Sequence, residues 1–185
     1  MPNLPNLLTF SRLLITPLVA LSILGGSYGQ ALGWLVAAAV TDGLDGWLAR
    51  RFGWSTRLGA LLDPVADKVL LVTVYVSMAI AGLVPYWLVA LVVGRDVLIL
   101  AFAGVALLLT KQRRFSPSPW GKLSTLIQIL TGLLAIGSRA SGAAVLGFSA
   151  HAMVFVTAAA TLWSGIDYGL RAARTLQQSQ RFRKP

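Results

Sequence analysis

Six apolar runs dominate the sequence, and most are close to the roughly 20 residues that a helix needs to cross the hydrocarbon core of a bilayer. They lie at about residues 7–24, 31–51, 58–81, 86–109, 123–136 and 143–170. Hydrophobic residues make up 56% of the chain, more than soluble domains contain, and no alternating strand pattern is found. The sequence therefore predicts an all-α, polytopic membrane protein with six transmembrane helices.

Basic residues occur in alternate connections between these runs. The connections at 52–57 and 110–122 and the end of the chain hold ten of the 16 basic residues, and Arg50 and Arg51 directly precede the first of these connections, whereas the other three connections hold only Arg139. The positive-inside rule then predicts that both termini are cytoplasmic. We expect a transmembrane domain over 1–170 and a basic cytoplasmic tail over 171–185.

The net charge of +10 indicates contact with anionic lipid headgroups. Nucleic acid is not predicted as a partner, because the basic residues are not interleaved with stacking aromatic residues. No basic segment precedes the first run, so neither a cleaved signal peptide nor an organelle transit sequence is predicted, which favours a bacterial plasma membrane. Arg12 could close the cytoplasmic rim of a site, but snorkelling to the membrane surface would account for it alone.

Four aspartates lie at the facing ends of the second and third runs: Asp42, Asp45, Asp63 and Asp67. Because an isolated charged side chain at the bilayer centre costs roughly 2.5–3.5 kcal/mol, these carboxylates must be paired, hydrated or metal-bound. Spacings of three and four residues place each pair on one face of its helix. Two such faces turned toward each other would supply the hard oxygen ligands that Mg²⁺, Mn²⁺ or Ca²⁺ prefer. With no Cys and one His, a site built from soft ligands is not predicted.

These aspartates belong to a longer pattern with fixed spacing. It reads Asp42-x-x-Asp45-Gly46-x-x-Ala49-Arg50, eight residues, then Gly59-x-x-x-Asp63-x-x-x-Asp67. At every defined position this resembles the signature of the CDP-alcohol phosphatidyltransferases. The resemblance, which runs from Pro5 to about Gln128, implies six transmembrane helices, often in a homodimer. It also implies a divalent metal bound with a CDP-linked lipid at the cytoplasmic membrane face.

Two branches of the family are similar to this chain. The segment 62–68 resembles both the bacterial phosphatidylglycerophosphate synthases and the eukaryotic-type cardiolipin synthases, and the segment 94–97 looks more like the cardiolipin branch. The predicted reaction is transfer of a phosphatidyl group from CDP-diacylglycerol to phosphatidylglycerol, giving cardiolipin and CMP. Glycerol 3-phosphate as the acceptor, giving phosphatidylglycerophosphate, is the alternative.

The resemblance and the chemistry of the reaction assign roles to the motif. Asp42, Asp45 and Asp63 are predicted ligands of Mg²⁺ or Mn²⁺, which would neutralise the diphosphate. Asp67 either completes a second metal site or is the catalytic general base on the acceptor hydroxyl. The residues predicted to contact the CDP group are Asp42, Asp45, Gly46, Ala49, Arg50 and Gly59. For Gly46 and Ala49 the alternative is close helix packing.

Arg95 is a further charge inside an apolar run. Asp96 is adjacent and should point about 100° away on a helix, so we do not expect it to be the partner of Arg95. Arg95 is therefore predicted to bind the phosphate of the acceptor, together with Lys122 and either Arg113 or Arg114. A salt bridge from Arg95 to a motif aspartate is the alternative.

A cation-coupled transporter or channel is the competing function. It would distribute acidic residues through the membrane depth, whereas here the four motif aspartates cluster near one face and their cluster has no counterpart in the second half of the chain. A purely structural role would leave four buried carboxylates uncompensated. The sequence therefore favours an enzyme.

Overall fold

The computed structural model describes the backbone of residues 4–52, 57–109 and 118–181, and the side chains of residues 11–44, 51, 65–99, 101 and 118–171. The helices in this part are α1 (Leu4–Leu24), α2 (Tyr28–Phe52), α3 (Arg57–Ile80), α4 (Tyr86–Leu109), α5 (Pro119–Ser141) and α6 (Ala144–Arg181). The all-α prediction is confirmed. α4 has the predicted bounds, whereas α5 is longer than its apolar run at both ends, because polar residues continue the helix.

Glycines in the left-handed conformation end α1 and α3. Gly26 has a φ of 73° and Gly82 a φ of 71°, which only glycine adopts at little steric cost. After Gly26, the Ser27 N–H donates to the Ser22 carbonyl at 2.9 Å, and the same pattern follows α3. These are Schellman motifs, and they lie in connections that hold no charged residue.

The chain divides into two compact units. The first comprises Met1–Tyr86 and Gly132–Ala150. Within it, α1 packs against both α2 and α3. Its buried apolar side chains include Val19, Ile23, Ala31, Ala38, Ala66, Val74, Tyr75, Met78 and Ala79. This packing brings the two helices that carry the aspartate motif against one side chain of α1.

The second unit comprises Trp87–Thr131 and His151–Pro185, and its interior is rich in polar side chains. The hydroxyls of Thr131 and Thr157 lie 2.6 Å apart, and the Gln128 amide donates to the Thr161 hydroxyl at 3.2 Å. Hydrogen bonds between small polar side chains are typical of helix packing in membranes, where apolar burial alone does not favour association.

Among the described residues, two helical segments are long and apolar enough to cross a membrane, Pro119–Ser141 and Ala144–Arg171. A shorter apolar helical segment spans Ser11–Leu24. Large apolar side chains on α6 are exposed, including Phe148 at 79% and Phe155 at 69%, as expected of a surface that contacts lipid. Six spans with both termini in the cytoplasm remain a prediction.

Candidate functional site

Arg12 of α1 is buried against two aspartates of the motif. Its Nη2 donates to Asp42 Oδ1 at 2.5 Å, and its Nη1 donates to Asp67 Oδ1. The Arg12 side chain is 1% exposed, whereas Asp42 is 52% and Asp67 55% exposed. One guanidinium therefore joins α1 to both α2 and α3, and the two carboxylates remain open to their surroundings.

Of the two sequence-based interpretations of Arg12, snorkelling to the membrane surface is wrong, and a place at the cytoplasmic rim of the site stays a prediction. The Arg12 head group does not reach the surface, because carboxylates 30 and 55 residues away in the chain come to it and neutralise its charge. Charge-assisted hydrogen bonds to a planar guanidinium are among the stronger ones in proteins. The signal that could have found this contact is charge balance, since Arg12 is the basic residue of the first apolar run and the next two runs carry four carboxylates that need a counter-charge.

Close packing of α3 supports this contact. Ala66, the neighbour of Asp67, is 1% exposed, so a small side chain lies at the buried position beside the carboxylate. On α1, the buried Thr16 hydroxyl donates to the Arg12 carbonyl at 2.9 Å, so its hydrogen bond is made within the same helix. Asp42 and Asp67 thus face one position on a well-packed helix.

The remaining motif residues lie on the described backbone of α2 and α3, but their side chains fall outside the described part. They are Asp45, Gly46, Ala49, Arg50, Gly59 and Asp63. The predicted acceptor residues Arg113 and Arg114 lie outside the described residues altogether. The contacts predicted for all of these positions stay predictions.

The chemistry of the described pair fits a divalent cation. Asp42 and Asp67 supply hard oxygen donors, they already meet at one cationic group, and each side chain is about half exposed, so an ion can approach them. Within the described side chains, no group of three or more His, Cys, Asp or Glu residues could hold a metal. Asp45 and Asp63, the other predicted ligands, have side chains outside the described part.

In the second unit, Arg95 has protein partners on several of its nitrogens. Nη1 donates to Asp96 Oδ1 at 2.6 Å, and Nε and Nη2 donate to the Ser164 hydroxyl at 3.2 and 2.6 Å. The Tyr168 ring lies 5.6 Å from the guanidinium carbon, a cation–π contact. The expectation that Asp96 points away from Arg95 is wrong, because the long arginine side chain folds back to its neighbour.

The start of α5 is tied to α6 beside this arginine. The Ser118 N–H donates to the Tyr168 hydroxyl at 3.1 Å, and the Ser118 hydroxyl donates to Asp167 Oδ2 at 2.5 Å. Ser118 and Pro119 have the N-cap and first-turn residue types, a signal that sequence analysis could have used. Lys122, a predicted acceptor residue, lies in the same part of α5 with an exposed side chain.

Comparison with known proteins identifies the family. The sequence model of the family described as CDP-alcohol phosphatidyltransferase matches residues 2–163, which is most of the chain. The chain belongs to this family. It is therefore a transferase of phospholipid biosynthesis, from a family of membrane enzymes that use CDP-diacylglycerol and an alcohol acceptor.

Named relatives fall into the two branches that the motif resembles. A probable phosphatidylglycerophosphate synthase of Mycobacterium tuberculosis is 34% identical, over 94% of this chain and 83% of the relative. A CDP-diacylglycerol–glycerol-3-phosphate 3-phosphatidyltransferase of Pseudomonas fluorescens is 34% identical, over 92% of this chain and 90% of the relative. The human cardiolipin synthase (CMP-forming) is 37% identical, over 54% of this chain and 33% of the relative.

Proposed function

We propose that this protein transfers the phosphatidyl group of CDP-diacylglycerol to glycerol 3-phosphate, giving phosphatidylglycerophosphate and CMP. The observation that carries the proposal is that Asp42 of α2 and Asp67 of α3, both residues of the family signature, accept hydrogen bonds from the same guanidinium, that of Arg12. A site for hard cations at that position is what a CDP-linked substrate requires, because its diphosphate is anionic.

The reaction is one displacement at phosphorus. The acceptor hydroxyl oxygen forms a bond to the phosphorus that carries diacylglycerol, and the bond from that phosphorus to the bridging oxygen of CMP breaks. We assign one carboxylate oxygen of Asp67 as the base that takes the hydroxyl proton, since the family signature has the base at this position and the side chain is 55% exposed. A bound Mg²⁺ or Mn²⁺ would supply charge neutralisation at the diphosphate and on the departing CMP.

Other motif residues bind and orient the substrate in this proposal. Asp42, Asp45, Asp63 and the other carboxylate oxygen of Asp67 hold the metal. Gly46, Ala49 and Gly59 let the nucleotide approach the helix backbone, and Arg50 pairs with a phosphate. Arg95, Lys122 and one of Arg113 and Arg114 bind the phosphate of the acceptor. For Arg95 this role is compatible with its described contacts, because a guanidinium has five N–H donors and three are engaged by Asp96 and Ser164.

Phosphatidylglycerol is the second candidate acceptor, and cardiolipin would then be the product. It was the first choice from the sequence, and it still has specific support in Asp96, which follows Arg95 as in the cardiolipin branch. Glycerol 3-phosphate now ranks first because relatives named for it align over nearly the whole chain, whereas those named cardiolipin synthase align over about half of it.

A product assay distinguishes the two acceptors. Purified protein in detergent micelles is incubated with CDP-diacylglycerol, Mn²⁺ and either glycerol 3-phosphate or phosphatidylglycerol, and the lipids are identified by mass spectrometry. We expect phosphatidylglycerophosphate from the first mixture, and no product from Asp67→Asn. Cardiolipin formation alone would contradict the choice of glycerol 3-phosphate and establish the second candidate.

The proposal places the enzyme in a bacterial inner membrane as a homodimer. The apolar segments of α5 and α6 support a membrane location, and the distribution of basic residues supports six spans with the motif and both termini on the cytoplasmic side. The basic segment 171–185 would then lie at the anionic inner surface.

A further inference from the structure

We propose that Arg12 is an internal counter-cation that competes with the divalent cation for Asp42 and Asp67. In the metal-free protein its guanidinium holds the two carboxylates, and metal binding weakens or replaces that contact. The inference rests on the proposed function only in requiring that these aspartates bind a metal. It adds a residue outside the signature motif to the residues that set metal affinity.

Charge is the first argument. Asp42 and Asp67 would repel each other without a neutralising cation between them, and Arg12 lies in that position. Arg12 is 1% exposed, so its buried positive charge in turn needs those carboxylates as counter-ions. The same positive charge opposes the approach of Mg²⁺ or Mn²⁺, and the repulsion is not screened by water at a buried group.

Geometry is the second argument. Arg12 takes the Oδ1 atom of each aspartate, one through Nη2 and the other through Nη1. Mg²⁺ needs its oxygen ligands at about 2.0–2.1 Å, closer than the 2.5 Å between Asp42 Oδ1 and Arg12 Nη2. Because both side chains are about half exposed, an ion can reach them from outside the protein and draw them away from Arg12.

A different role for Arg12 predicts the opposite effect on metal binding. If the guanidinium only oriented the carboxylates behind the metal, its loss would loosen the site and weaken binding, as the loss of outer partners of metal ligands does. If Arg12 only tied α1 to its neighbours, its loss would lower stability and leave the metal affinity of the folded protein unchanged. The sign of the change in affinity therefore separates the three roles.

The test is a titration of purified protein with Mn²⁺ alone, in micelles, with free Mn²⁺ measured by electron paramagnetic resonance. The variants are Arg12→Gln and Arg12→Lys. The matched control is Arg171→Gln, which removes an arginine that also pairs with an aspartate but is 51% exposed. We expect the Mn²⁺ dissociation constant of Arg12→Gln to fall about tenfold, by the loss of one adjacent positive charge. Arg171→Gln should match the wild type.

Arg12→Lys keeps the inference testable if the glutamine variant does not fold. An ammonium group cannot span two carboxylates as a guanidinium does, so a smaller fall in the dissociation constant is expected. An unchanged or raised dissociation constant in the folded Arg12 variants would overturn the inference while leaving the metal site in place. Failure of wild type and Arg12 variants alike to bind Mn²⁺ would contradict the metal site itself, and the inference with it.

Discussion

Arg95 and Asp96 are consecutive residues of α4 and form a buried ion pair, with 2.6 Å between Nη1 and Oδ1. Their side chains are 7% and 5% exposed. The same guanidinium donates to the Ser164 hydroxyl and makes a cation–π contact with the Tyr168 ring. The pair therefore fixes the orientation of an arginine to which we also assign a role in acceptor binding.

Removing the anion of this pair should be strongly destabilising. Asp96→Asn leaves Arg95 buried without its counter-ion, and breaking a buried pair in this way costs roughly 3–5 kcal/mol. We expect a clearly lower thermal unfolding temperature in micelles. The control is Arg171→Gln, which breaks the exposed pair with Asp167 and should stay within about 1 kcal/mol of the wild type. Equal effects of the two variants would show that the Arg95 pair is not buried as described.

Gly121 should not tolerate a methyl group. A Cβ there would lie 2.9 Å from the Tyr168 hydroxyl, closer than real Cβ contacts, and 3.1 Å from Arg95 Nη2, tighter than most of them. Tyr168 cannot move freely, because its hydroxyl accepts from the Ser118 N–H. We expect Gly121→Ala to lower stability by roughly 1–3 kcal/mol in thermal unfolding.

Gly137 gives a control for this substitution on the same helix. No atom lies within 4 Å of a Cβ at that position. Gly137→Ala should leave the unfolding temperature unchanged or raise it slightly, because alanine favours the helix. A loss of stability equal to that of Gly121→Ala would mean that crowding by Tyr168 and Arg95 is not the cause.

Loss of Arg95 should change the Michaelis constant for the acceptor more than that for CDP-diacylglycerol. If its remaining donors bind the acceptor phosphate, Arg95→Gln raises the Michaelis constant for glycerol 3-phosphate and leaves that for CDP-diacylglycerol nearly unchanged. A charge-assisted contact of this kind contributes roughly 1.5–3 kcal/mol, so about tenfold or more is expected. Arg139→Gln, the loss of an exposed basic residue on α5, is the control. An unchanged acceptor constant would leave Arg95 with a structural role alone.

The predicted topology can be tested with single cysteines, because the chain has none. Ser27→Cys, in the turn after α1, should react from outside intact cells or spheroplasts with a membrane-impermeant maleimide. Ser179→Cys, in the basic tail, should react only after the membrane is opened. The reverse labelling pattern would contradict the assignment of cytoplasmic termini.

The helices could be read from the sequence because apolar runs and glycine turns are local signals. α4 begins and ends as predicted at Tyr86 and Leu109, and the turn at Gly82 was marked by an uncharged connection. The bounds of α5 could not be read in the same way. Its ends carry Lys122 and Arg139, and hydropathy alone does not separate a helix that extends past the hydrocarbon from a loop.

The sequence predicted which aspartates belong to the candidate site, but it did not predict which arginines pair with aspartates. The spacing of the motif placed Asp42 and Asp67 on faces that could meet, and the structure brings them to one group. The pairing of Arg12 with these aspartates was missed because they are distant from it in sequence, and no local pattern on α1 marks them. Asp96 was misjudged as a partner because helical geometry fixes where a side chain starts and not where a long arginine ends.

The most direct test of the central claim is release of CMP from CDP-diacylglycerol by the purified protein. The mixture contains Mn²⁺ and glycerol 3-phosphate, or phosphatidylglycerol in a parallel reaction, and CMP is measured by chromatography. Wild type and Asp167→Asn, an aspartate outside the motif, should release CMP in an acceptor-dependent way, and Asp42→Asn should release almost none. Absence of CMP from the folded wild type with both acceptors, or full activity of Asp42→Asn, would contradict the account.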